Sequence, residues 1–151
     1  MADASKPDVL TAPYVLEYTY RRSTGPVIGA FLTALRDGKI VGSRCRDGRV
    51  LVPAAEYDPS GEATGDLVDV GPAGVVTTWA WVSAPRPTHP LKTPFAWALV
   101  KLDGADTSML HAVDADSESR MKSGMRVAPR WKAERVGSIL DIACFVPAED
   151  A

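Results

Sequence analysis

The sequence predicts a mainly β domain: a five-stranded barrel of the OB type, preceded by an N-terminal helix and a ribbon-like hairpin. Three observations predict it. After residue 63 the chain runs as three strands, a short polar helix and two more strands, the order of a five-stranded Greek-key barrel. One amphipathic helical stretch stands ahead of them. Between helix and barrel, an Asp-Gly pair divides two β-prone runs, which is a hairpin signal. A generic antiparallel sandwich would give a similar succession of strands, and periodicity does not separate the two.

The elements follow in chain order. Residues 1–24 are an arm whose first half mixes Asp, Ser, Lys and Pro and reads as a mobile leader or an extended segment. Residues 25–62 hold the helix and hairpin. Pro26 opens the helix, Val27, Ile28, Phe31, Leu32 and Leu35 recur on one face, and Asp37-Gly38 stops it. That face must cover either the chain's own sheet or another protein. "KIVGSRC" and "RVLVPA" flank Arg46-Asp47-Gly48 as the hairpin. The barrel is placed at 63–147, with 148–151 as a tail. In "DLVDVGPAGVVTTWAWVSA", Val75, Thr77, Trp79 and Trp81 alternate with Val76, Thr78, Ala80 and Val82, which predicts one long, bent strand. "PRPTHPLKTP" carries four prolines and is a loop. "FAWALVKL", "TSMLHAV", "MRVAPRWK" and "GSILDIACFV" complete the strands, with the short helix near residues 116–122. Alternation predicts that Trp79 and Trp81 join Phe95 and Trp97 in a single aromatic cluster.

Composition narrows the function classes. With 46% hydrophobic and 24% charged residues, the chain of 151 residues is of a size for one domain with a real core. A formal net charge of -2 and pI ≈ 5.7 supply no basic footprint for nucleic acid. Neither a signal-like leader nor a membrane-spanning run is visible, which predicts a cytoplasmic protein with Cys45 and Cys144 reduced. No phosphate loop, His-Glu-x-x-His helix or Gly-x-Ser-x-Gly elbow is present.

Five pieces in order resemble a known family. "FLTALRDGKIVGSRC", "RVLVPAAEYDPSG", "TPFAWALVKLDGAD", "SGMRVAPRWK" and "ILDIACFVP" are similar to the acyl-CoA-associated OB-fold proteins with an N-terminal rubredoxin-like zinc ribbon, the domain of unknown function 35 (DUF35). The resemblance implies an OB fold and partnership with thiolase-fold enzymes, among them lipid-transfer-protein-type aldolases that cleave steroid side-chain CoA thioesters. In those assemblies it implies that the partner supplies the catalytic residues.

The family's ribbon carries two Cys-x-x-Cys pairs. Here Cys45 takes the first position, and Gly48, Asp58 and Gly61 stand near the other three. One thiolate and one carboxylate fall short of the four ligands a structural zinc uses, so the ribbon is expected to be metal-free and Cys45–Asp58 a remnant. Losing the metal calls for replacement packing, expected from Val50, Val52, Tyr57 and the apolar face of the helix.

Three sets of residues are candidates for function. Arg86, His89 and Lys92 lie on the proline-stiffened loop and suit the phosphates of a CoA ester, or else are ordinary surface charge. Tyr14, Tyr18 and Tyr20, with Phe31 and Leu35 of the helix, suit a partner interface, or else pack on the chain's own barrel. No catalytic residue is assigned. The leading expectation is a non-catalytic accessory subunit that forms a hetero-oligomer with a thiolase-fold aldolase or thiolase acting on acyl-CoA, without cofactor, nucleic acid or membrane. The alternatives are a stand-alone OB module that binds a small ligand or single-stranded nucleic acid, and an enzyme using Cys45 with His89 or His111.

Overall fold

The structure, a computed structural model, describes residues 10–148. The one α-helix among the described residues, α1 (Pro26–Arg36), starts and stops where the sequence predicts. Pro26 sits in the first turn, and the Glu56 carboxylate accepts from the amides of Val27 and Ile28 at 3.0 and 3.4 Å. That places an anion on the positive end of the helix. At the other end Arg135 Nε donates to the Arg36 carbonyl at 3.0 Å, a cation where the helix exposes unpaired oxygens.

Three short strands follow in the order β2-β1-β3: β1 (Ile40–Arg44), β2 (Val50–Leu51) and β3 (Leu67–Val70). β3 falls within the segment expected to be barrel, yet it pairs with β1 and completes the ribbon sheet. The barrel's own strands begin at Gly74. The free edge of β2 docks on the barrel: Asp106 Oδ2 accepts from the Val50 amide, and the Thr107 hydroxyl both accepts from the amide and donates to the carbonyl of Val52.

The remaining five strands close into a barrel in the order β4-β5-β6-β8-β7. They are β4 (Gly74–Val82), β5 (Phe95–Leu102), β6 (Met109–Val113), β7 (Arg126–Trp131) and β8 (Ile142–Pro147). A 3-10 turn at Glu118–Arg120 stands where the short helix was expected, and a second, Ile139–Asp141, leads into β8. Pairing is antiparallel except between β6 and β8. The fold is thus the OB barrel that the strand order predicts. No helix among the described residues is long and apolar enough to cross a membrane.

The aromatic expectation fails. A bulge at Thr77 shifts the register between Val76 and Thr78, so Val76, Trp79 and Trp81 share the inner face, opposite Val100, Ala98 and Ala96. Phe95 and Trp97 lie on the outer face with Val82, Leu91, Ala112, Cys144 and Val146. The four aromatics form two clusters because one inserted residue reverses strand parity.

Candidate functional site

Leu91 and Trp97 of the outer cluster face a groove of about 460 Å³, whose lining is completed by Thr88, His89, Pro90, Lys132, Leu140 and Ala143. The proline-rich loop forms one wall and is held in shape by its own side chains. The Arg86 amide donates to His89 Nδ1 at 3.2 Å and the His89 amide to the Arg86 carbonyl at 3.0 Å. This leaves any ring proton of neutral His89 on Nε2. The imidazole meets Phe95 and Trp97 edge-on, with centroids 5.6 and 6.3 Å away, and Phe95 and Trp97 lie 5.2 Å apart.

Of the three loop cations expected to face a ligand, Lys92 has another use. Its ammonium donates to the carbonyls of Pro87 and His89 at 2.6 and 3.1 Å, stapling the loop. Arg86 is exposed and makes no ion pair among the described residues. The place expected for Lys92 at the groove is taken by Lys132, which sequence reading missed because it stands 40 positions downstream.

The opposite wall is fixed by Asp141. Its buried carboxylate accepts from the amides of Val136, Gly137 and Ser138 at 3.1, 2.7 and 3.0 Å. Burial pushes the carboxyl up, but these three donors, aided by the Lys132 charge, outweigh it and hold it below the usual carboxylate range. Ser138 and Asp141 form a capping box, a signal readable in "SILD".

The interface candidates separate into two groups. Phe31 and Leu35 are 3% and 0% exposed and belong to the chain's own core, so neither is available to a partner. The helical face that carries them covers the chain's own sheet. Tyr14, Tyr18 and Tyr20 are 83%, 73% and 73% exposed and do not pack on the barrel.

The ribbon turns are closed by side chains. Asp58 Oδ1 accepts from the Ser60 amide, the Ser60 hydroxyl and the Glu62 amide, while Asp47 accepts from the Arg49 amide and guanidinium. Hydrogen bonds from Ser60 hold the Asp58 carboxyl below its usual range. Among the described residues no three His, Cys, Asp or Glu side chains come together as metal ligands. With its best acceptor oxygen already committed, Asp58 beside a lone Cys45 does not fit a structural zinc. Of the replacement packing, Val50 and Val52 are buried, whereas Tyr57 is 64% exposed and contributes none. We expect purified protein to carry far less than one zinc per chain, and EDTA to leave its Tm unchanged; stoichiometric zinc, or a chelator-induced fall, would refute this.

Among the described residues neither cysteine is paired with a histidine. Both thiols are buried and free, and burial pushes both up, Cys45 further so by Asp47 and Asp58, which favours the unreactive thiol form. His111 is also buried, and burial lowers its basicity despite the Ile139 and Ala112 carbonyls at 3.5 Å. What the groove offers is the Trp97 and His89 rings with Lys132 in its lining, while Arg86 lies three residues before His89 on the same loop.

Comparison with known proteins places this geometry. Residues 67–132 match the family described as the ChsH2 C-terminal OB-fold domain. No curated protein matches the chain. Among solved structures, a chain of the "Ltp2-ChsH2(DUF35) aldolase" is similar with a TM-score of 0.60 at 22% identity, over 84% of this chain and 98% of that one. A DUF35 protein of unknown function from Sulfolobus solfataricus is similar with a TM-score of 0.57 at 23% identity, over 70% and 77%.

Proposed function

We propose that the chain, whose residues 67–132 match the ChsH2 C-terminal OB-fold family, is a DUF35-type non-catalytic subunit of a hetero-oligomeric aldolase or thiolase, paired with a thiolase-fold enzyme acting on acyl-CoA thioesters. One observation carries the reading: the fold aligns with 98% of a chain from an aldolase whose name joins two components. The chemistry of the groove agrees, since it can hold a ligand but pairs no nucleophile with a base. Within such a pair the groove meets the nucleotide end of CoA. The Trp97 and His89 rings supply a stacking surface, Lys132 in the lining supplies charge for phosphates, and exposed Arg86 on the adjoining loop adds a second cation. Steroid or other lipid side chains are the substrate class that the family resemblance favours.

The test is to produce the chain alone and together with candidate thiolase-fold proteins from the same genome. The chain and one of them should co-purify, and only the pair should cleave or condense an acyl-CoA. The double variant Arg86→Ala/Lys132→Ala should leave the complex intact and raise KM for the thioester about tenfold, a loss of roughly 1.4 kcal/mol. A chain that ignores such partners would overturn the reading, and tight binding of an oligonucleotide would favour a stand-alone OB module.

A further inference from the structure

Residues 10–22 have no regular structure and make no backbone hydrogen bond to any described residue. Their side chains nevertheless alternate. Leu10, Ala12, Tyr14, Leu16, Tyr18 and Tyr20 occupy even positions, against Thr11, Pro13, Val15, Glu17, Thr19 and Arg21 at odd ones. All the large apolar side chains of the even set are between 72% and 95% exposed. Tyr18 and Tyr20 have ring centroids 6.1 Å apart, as same-side neighbours on an extended chain do. A solvated loop has no use for this pattern, which is that of a half-buried strand lacking its sheet.

The chain's own sheets do not supply the missing edge. The barrel is closed, and the outer edge of β2 is bonded to Asp106 and Thr107. The remaining edge, β3, is four residues long, with Asp69 exposed. A second copy offers the same edges, so an edge matching the arm must come from a different protein.

We infer that residues 14–20 add as a strand to an open sheet edge of the thiolase-fold subunit, an inference that rests on the function proposed above. The polarity of the strand follows from Pro13. Amides of alternate residues point to opposite sides, and proline has none to give, so the odd-numbered residues face away from the partner's edge. Tyr14, Leu16, Tyr18 and Tyr20 then make the backbone bonds. Buried on that partner, the three tyrosines remove on the order of 500 Å² from water, most of one side of a standard interface. Arg21 and Arg22, exposed and unpaired among the described residues, call for acidic residues where the arm leaves the edge.

The test uses the full chain with the thiolase-fold protein it co-purifies with, followed by residue-resolved amide exchange. On binding, exchange at Tyr14, Leu16, Tyr18 and Tyr20 should slow at least about tenfold, and at Val15, Glu17 and Thr19 less than about twofold. Tyr18→Ser should weaken the complex about tenfold and Thr19→Ser should not. A complex that survives removal of residues 1–22 with unchanged affinity overturns the arm and leaves the proposed function standing. Protection with a helical spacing, or a self-associating chain broken by Tyr18→Ser, also overturns it. Failure to form any complex overturns both.

Discussion

Gly74→Ala should destabilise the protein by about 3 kcal/mol, lowering Tm by about 6–12 °C. Gly74 opens β4 and is paired on both sides, with Leu102 of β5 and Val127 of β7, so it stands at the seam where the barrel closes. A Cβ there would lie 2.5 Å from the Lys101 carbonyl oxygen and 2.9 Å from the Leu102 Cα. Both are backbone atoms of a central strand and cannot step aside as a flexible side chain would. The extra methyl therefore has to separate β4 from β5 where Gly74 also holds β7. Gly65→Ala is the matched control, because its Cβ would find the Arg44 carbonyl oxygen at an ordinary 3.5 Å. Thermal melts of the two variants decide the matter. Equal Tm values would mean that the seam is not under this constraint.

Asp141→Asn should cost about 2–4 kcal/mol, although it keeps the side chain's size. The amide can offer one oxygen to the donors of Val136, Gly137 and Ser138, and its NH2 must face at least one of them, donor to donor. The effect depends on pH with a definite sign. Because the folded carboxyl titrates below its unfolded value of about 3.9, its contribution is complete above that pH and is lost as pH falls through the folded value. The Tm gap between wild type and Asp141→Asn should therefore stay constant from about pH 7 to pH 5 and narrow below about pH 4. A gap that widened with acid would refute the assignment of the carboxylate as the acceptor.

Much of this fold was legible because local chemistry dictated it. Pro26 and Asp37-Gly38 bracket the helix, Asp47-Gly48 turns the hairpin, and the order of strands and short helix gives the barrel. What escaped depended on contacts between distant residues. The bulge at Thr77 leaves no mark in the alternation of its strand, so the two tryptophans of β4 could not be separated from the aromatics of β5. The helical spacing of Phe31 and Leu35 announces burial without saying whose surface does the burying. Lys92 reads as a free cation until the loop folds its own carbonyls around it. In the groove, His89 could be named from its loop, whereas Lys132, Leu140 and Ala143 arrive from the far end of the chain. The exposed tyrosines and their alternation were visible, but only the structure shows that neither a backbone bond nor the chain's own core takes them up.

The bond from Arg135 to the Arg36 carbonyl joins residues 99 positions apart. During synthesis α1 leaves the ribosome well before the segment that fastens its end, so for most of translation the helix and the arm ahead of it lack their final anchor. A chain stopped before Arg135 would lose this bond together with β8, leaving the helix end unfastened and the barrel open at once.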